Sequence, residues 1–331
     1  MRFSRRALLR GLPPAVIGLS SGGLSAALAG CSAEPHLRAA SHGGASAARA
    51  VTGREVATLL PGMPTQDGAG VSLTRAIGSR ALDHLDPFLL LDEIHSDEPN
   101  AYIRGFPDHP HRGFETITIM LEGRMRHRDS RGGHGLITGG GIQWMTAGRG
   151  IVHSEMPEQE RGMLWGFQLW LNLPRAEKMC PQQYQDLAPE RIAEERLASG
   201  GVLRAIAGDV LGVEGPVEPR GTEPVVFTAV LRDEAPLVVD LPRDHNAFVY
   251  VQEGEIELGP ERRTTRVPQD HLAVLSDGNQ LTIRARREET SILVAAARPL
   301  REPIARRGPF VMSTEEELRQ AFEDYRNGTL G

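Results

Sequence analysis

Phe114-Glu115-Thr116-Ile117-Thr118-Ile119-Met120, closed by the turn Glu122-Gly123, is rich in β-branched and aromatic residues and ends on a glycine turn, the grammar of a hairpin strand. Working outward from it, the same pattern recurs at Gly141–Met145, Ile151–Glu155, Leu164–Leu173, Val202–Ala207, Val225–Leu231, Leu237–Leu241, Ala247–Val251, Glu255–Leu258, Leu272–Leu275, Leu281–Ala285 and Ser291–Ala296. So many short strands, in a chain with 37 glycines and 23 prolines to turn them, point to an all-β protein of barrels or sandwiches. A length of 331 residues exceeds one ordinary core, so two domains are expected. Pro189 to Ser199 reads as a short helix between two groups of strands and marks the boundary: a first domain over 51–187 and a second over 188–312. A C-terminal helix over 313–331 follows, with Ser313 as its cap, Glu316 completing a capping box, Leu318, Ala321, Phe322 and Tyr325 on one face, and Gly328 as its stop.

Residues 1–30 read as an address rather than as structure. They carry Arg2, Arg5, Arg6 and Arg10, no acidic residue, and a weakly apolar run interrupted by Pro13, Pro14, Gly18, Gly22 and Gly23. Ser4-Arg5-Arg6-Ala7-Leu8-Leu9 resembles a twin-arginine export motif, which implies the twin-arginine translocase as a transient partner and the periplasm or cell envelope as destination. Leu28-Ala29-Gly30-Cys31 looks like a lipobox, with Cys31 as the lipidated residue; ordinary cleavage around Ala27 to Ala29 is the alternative, and gives a soluble exported protein. The lipid would be the chain's one link to a membrane. Residues 31–50, rich in Ser, Ala, Gly and His, read as a flexible tether. Without the first 30 residues the formal net charge falls from −6 to −10, which argues against nucleic acid as a partner. Lys178 is the only lysine, and Cys180 reads as a buried, inert thiol.

Two pairs of residues carry metal chemistry. His109-Pro110-His111 and His153-Ser154-Glu155 each have i, i+2 spacing, which on a strand turns both side chains to one face. If the two strands are neighbours, three imidazoles and one carboxylate converge on a point and hold a first-row metal with two octahedral positions open. Nitrogen donors with one hard oxygen suit Fe(II), with Mn, Co, Ni, Cu or Zn as substitutes. A lone HxH is weak evidence, but each pair here lies beside a turn signal, Gly105-Phe106-Pro107-Asp108 and Ala147-Gly148-Arg149-Gly150. His127 and His134 fall in a Gly-rich polar stretch and read as solvated, with His127 able to line the mouth of a pocket.

The flanks of these pairs resemble a known family. Gly105-Phe106-Pro107-Asp108-His109-Pro110-His111-Arg112-Gly113-Phe114-Glu115-Thr116 and Gln143-Trp144-Met145-Thr146-Ala147-Gly148-Arg149-Gly150-Ile151-Val152-His153-Ser154-Glu155-Met156-Pro157 are similar to the two cupin motifs of pirins. Leu85 to Glu93, Gln168 to Pro174 and the stretch from Arg301 to Met312 match as well, so the resemblance runs from about Val71 to Gly328. It implies two tandem cupin barrels of jelly-roll type and a metal bound in the first through His109, His111, His153 and Glu155. Glu115 is then expected beside the ligands, orienting one of them or a bound water, and the second barrel, with single histidines at His245 and His271, is expected to be metal-free. The resemblance also implies quercetin 2,3-dioxygenase-like activity: ring cleavage of a flavonol or related polyphenol by O2, with Glu155 or a water held by Glu115 taking the substrate proton. The alternative from another class is a non-catalytic redox sensor or protein-binding module in the envelope. Export is a departure from the family.

Overall fold

A computed structural model of the chain describes residues 50–198, 200–232 and 235–331. The twin-arginine-type stretch, the tether and Cys31 lie outside the described residues.

Alternating side chains fold the body into two barrels, each made of a seven-stranded and a four-stranded sheet. In the first, the large sheet runs in the order Gln183–Leu187, Ile142–Thr146, Phe114–Glu122, Leu164–Asn172, Phe88–Ser96, Val71–Ile77, Met63–Asp67. The small sheet opposite it runs Phe106–His111, Ile151–Pro157, Arg124–Asp129, His134–Thr138. In the second barrel the large sheet runs Val56–Pro61, His271–Leu275, Asn246–Glu253, Thr290–Ala297, Val225–Leu231, Val202–Ala207, Ala193–Arg196, and the small one Leu237–Asp240, Gln280–Ala285, Glu255–Leu258, Thr265–Pro268.

The two large sheets pack against each other. Ile117, Ile119, Trp144, Leu169 and Leu171 of the first meet Ile206, Val226, Phe248, Tyr250, Leu272 and Leu293 of the second in one buried cluster. Phe88 and Phe248 meet edge to face at 5.0 Å across this seam, an arrangement aromatic quadrupoles favour. Period-2 alternation leaves the other face of each large sheet for its own barrel. In the second barrel that interior is filled with Leu203, Phe227, Val249, Ile256, Leu281, Ile292 and Val294. In the first it is partly polar and encloses a cavity.

The ends of the chain cross over. Val56–Pro61, expected within the first domain, pairs antiparallel with His271–Leu275 and so closes the large sheet of the second barrel. The hairpin Ala305–Arg307 and Phe310–Met312, with the helix Glu315–Arg326 packed on it through Leu318 and Ala321, lies against the first. Val311 N–H donates to Arg112 O at 3.1 Å, and Arg112 in turn ion-pairs with Asp324 at 2.7 Å.

Two local expectations change. Pro189 to Ser199 is not a helix: a 3-10 turn spans only Pro189–Arg191, and Ala193–Arg196 pairs with Val202–Ala207, the Leu197 N–H donating to Gly201 O at 3.0 Å. Ser199 is outside the described residues. Sheet pairing here outweighs a helical pattern too short to sustain itself. The C-terminal cap moves by one residue. Thr314, in extended backbone, accepts from Glu317 N, and the Glu317 carboxylate accepts from Thr314 N. The Ser/Thr-x-x-Glu pattern fits both registers, and this one buries Leu318 and Ala321.

Candidate metal centre

His109 and His111 come from Phe106–His111, His153 and Glu155 from its antiparallel neighbour Ile151–Pro157, with His153 directly across from His109. The three rings gather. Centroids lie 4.7 Å apart for His109 and His111, 4.4 Å for His109 and His153, and 5.0 Å for His111 and His153. One nitrogen from each is within 4.8 Å of the other two.

The hydrogen bonds aim these nitrogens. A carbonyl can only accept, so Nδ1 of His109 donates to Pro107 O at 2.8 Å and Nδ1 of His111 to Pro309 O at 3.3 Å. In the neutral ring such a bond leaves the lone pair on Nε2. Both ring nitrogens of His153 are buried and have no hydrogen-bond partner among the described residues. Burial, reinforced by the neighbouring imidazoles, holds His111 and His153 well below the ordinary histidine pKa, so both rings are neutral at pH 7. Convergent neutral imidazoles, one of them stripped of partners, fit a bound first-row metal ion, since leaving buried polar nitrogens unsatisfied is otherwise costly.

Glu155 shares the cavity but not the tight cluster. A register shift between His153 and Glu155 sets its carboxylate against Thr118 Oγ1, 3.1 Å from Oε1, and Gln168 Nε2, 3.1 Å from Oε2. Thr118 and Gln168 hold this carboxylate from across the barrel, a role that their sequence positions alone did not disclose. Gln168 sits in a stretch that resembles pirins, which was the available signal.

Glu115 turns away from the site. It shares a face of its strand with Ile117 and Ile119, opposite to Thr118, and its Oε1 accepts from Thr146 Oγ1 at 2.7 Å. Burial pushes its carboxyl up to about 7, against the hydrogen bonds that pull it down. The expectation that Glu115 orients a ligand or water therefore fails on strand alternation. His127 differs too: it lies on Arg124–Asp129, buried, across from Glu155, with Nε2 3.2 Å from Asp186 Oδ2 and its ring stacked on Tyr184 at 5.3 Å. His134 is exposed as expected, and Cys180 is half-buried with its thiol pushed up by burial.

Above the histidines opens a cavity of about 590 Å³. Leu73, Ile94, Met120, Met125 and Trp170 give it an apolar wall, and Arg75, paired with Asp92 and Asp67 at 2.7 Å each, forms part of its rim.

Comparison with known proteins places this architecture. The family described as "Pirin" matches residues 70–171, and the "Pirin C-terminal cupin domain" matches 226–331. The chain belongs to the pirin family. Its pirin relatives include human pirin, 40% identical over 267 residues that cover 80% of this chain and 90% of that one. A Pseudomonas aeruginosa protein whose name provisionally assigns it quercetin 2,3-dioxygenase activity is 45% identical over 281 residues, 84% of this chain and 98% of that. The crystal structure of a quercetin 2,3-dioxygenase from Acinetobacter baumannii superposes with a TM-score of 0.77 at 33% identity, covering 84% of this chain and 98% of that one. The two-barrel pirin fold thus carries its histidine cluster in the first barrel.

Proposed function

We propose that this pirin is a mononuclear metal-dependent dioxygenase that cleaves the ring of a flavonol such as quercetin, or a related polyphenol, with O2. The observation that carries the reading is the cluster of three imidazoles whose nitrogens converge at the floor of a largely apolar cavity. The likeness to the Acinetobacter baumannii quercetin 2,3-dioxygenase supports it. His109, His111 and His153 would hold the ion, and Glu155, once released from Gln168, would complete the set. An ion bound there, Fe(II) in this reading with Mn, Co, Ni, Cu or Zn as substitutes, would supply Lewis acidity and a template for substrate and O2.

The chain's own residues do the rest. Glu155 takes the proton of the substrate hydroxyl, its carboxylate kept in place by Thr118. Pro107 O and Pro309 O fix the tautomers of His109 and His111. Leu73, Met120, Met125 and Trp170 pack on the flat rings of the substrate and keep bulk water away.

The test pairs metal analysis with an oxygen electrode and the quercetin absorbance, for wild type and His111→Ala. One equivalent of metal, with oxygen uptake that the variant loses, is expected; a metal-loaded protein that neither consumes oxygen nor bleaches quercetin refutes the activity.

A further inference from the structure

Part of the cavity wall comes from the far end of the chain. Arg306, Gly308 and Pro309, from the hairpin that crosses over to the first barrel, all line it. Arg306 is the charged member. Its Nη1 donates to Leu89 O at 2.8 Å, and its guanidinium carbon stands 5.2 Å from the centroid of the Trp170 indole. That indole lies 5.1 Å from the ring of His111, centroid to centroid. The guanidinium and the ring of His111 therefore both adjoin the same indole.

Arg306 makes no ion pair among the described residues. The other arginine of the cavity, Arg75, is bracketed by two aspartates. Among the described residues no carboxylate ion-pairs with Arg306, and its Nε and Nη2 have no protein acceptor. Those two atoms form the edge of a guanidinium that meets a carboxylate with two parallel N–H···O bonds. Burial pulls the group below the ordinary arginine value, with the charges of Asp83 and Asp92 opposing and that of Arg75 reinforcing, yet a guanidinium stays charged in proteins. A half-buried cation with an open fork, stacked on an indole and facing a ligand cavity, is a ready recognition element for an anion.

We propose that the substrate is a planar hydroxy-aromatic acid: its hydroxyl faces the histidine cluster, its ring packs along Trp170, and its carboxylate takes the Nε–Nη2 edge of Arg306. The placement of the hydroxyl rests on the dioxygenase reading, which this sharpens from polyphenols at large to those that carry a carboxylate. Arg306 then sets specificity without touching the reacting atoms.

The test is a binding measurement on the metal-loaded, full-length protein. 3,4-Dihydroxybenzoate and catechol, which differ only by the carboxylate, are titrated against wild type and Arg306→Gln, following tryptophan fluorescence with calorimetry as a check. Wild type should bind the acid at least about tenfold more tightly than catechol, the weight of one charge-assisted pair. Arg306→Gln should bring that ratio near one by weakening the acid alone, its unchanged catechol affinity reporting an intact fold, and Arg306→Lys, which keeps the charge without the fork, should recover part of it. Equal binding of the two ligands by wild type, or an unchanged ratio in Arg306→Gln, overturns the proposal. No turnover enters the readout. Selective binding of the acid with no oxygen uptake on any phenol would sink the dioxygenase reading alone; oxygen uptake on quercetin with no preference for the acid would sink this one alone.

Discussion

Glu93→Gln should make the protein more stable at pH 8 and leave it nearly unchanged at pH 4.5. Glu93 is buried at the seam between the barrels, where Oε1 accepts from Trp165 Nε1 at 2.8 Å and Oε2 from Tyr250 Oη at 2.7 Å. Burial pushes its carboxyl from 4.5 up to about 7, in spite of those two donors. Between these values the folded protein binds more protons than the unfolded chain, so this group's contribution is fully present below about pH 4.5 and is lost as pH rises through 7. At 1.36 kcal/mol per pK unit the loss is about 3 kcal/mol once ionisation is complete. Glutamine stays neutral throughout and can keep both contacts, its amide oxygen accepting from Trp165 and its amide nitrogen donating to the Tyr250 oxygen after the hydroxyl turns. Urea midpoints at pH 4.5 and 8, read by tryptophan fluorescence and far-UV circular dichroism, give the difference directly. Comparing variant with wild type at each pH cancels the acid release of metal from the histidines. The expected gain at pH 8 is about 2–3 kcal/mol. A variant destabilised equally at both pH values would refute the reasoning, because the seam would then depend on the carboxylate charge.

Other sites give shorter predictions. Lys178 Nζ is buried and donates to Gly113 O, Asn172 Oδ1 and Val311 O at 2.8, 2.5 and 3.1 Å. Burial pushes it down from 10.5 to about 8, so the unfolded chain binds the extra proton and wild-type stability should climb between about pH 8 and 10.5. Lys178→Met should abolish that climb and, at pH 7, lose roughly 1 kcal/mol or more for each acceptor left unsatisfied, as pH-resolved urea melts will show. Thr118→Val removes one of the donors that hold Glu155, and metal affinity measured by chelator competition should fall about tenfold or more. Thr314→Ala should cost roughly 1 kcal/mol in urea unfolding by opening the capping box. Replacing Arg5 and Arg6 by lysine should leave the precursor in the cytoplasm on cell fractionation; normal export would refute the twin-arginine reading of the amino terminus.

Central strands were legible because both their faces are buried and their composition says so: Val225–Leu231 and Thr290–Ala297 stand where their apolar runs place them. Strands with an exposed or charged face were not. Arg124–Asp129 reads Arg-Met-Arg-His-Arg-Asp, charged enough to pass for a loop, yet Met125 and His127 point inward and are buried. Met63–Asp67 is an edge with both faces largely exposed and offers no apolar signal at all. The histidine pairs were legible because i, i+2 spacing on a strand fixes a shared face whatever the rest of the fold. The same alternation argument, applied one residue at a time from Thr118, would have turned Glu115 away from the cavity. The roles of Arg306, Pro309 and Lys178 depend on contacts between residues more than 100 positions apart, which no local pattern encodes.

The crossing of the two ends has a consequence for synthesis. While the ribosome is still making the second barrel, Val56–Pro61 has no partner strand, and His111 lacks the carbonyl acceptor that Pro309 brings to it. The metal pocket of the first half is thus finished by some of the last residues to emerge, so a nascent or truncated chain should not hold the ion as the complete one does. Maturation belongs after translation ends and, if the chain is exported already folded, before it leaves the cytoplasm.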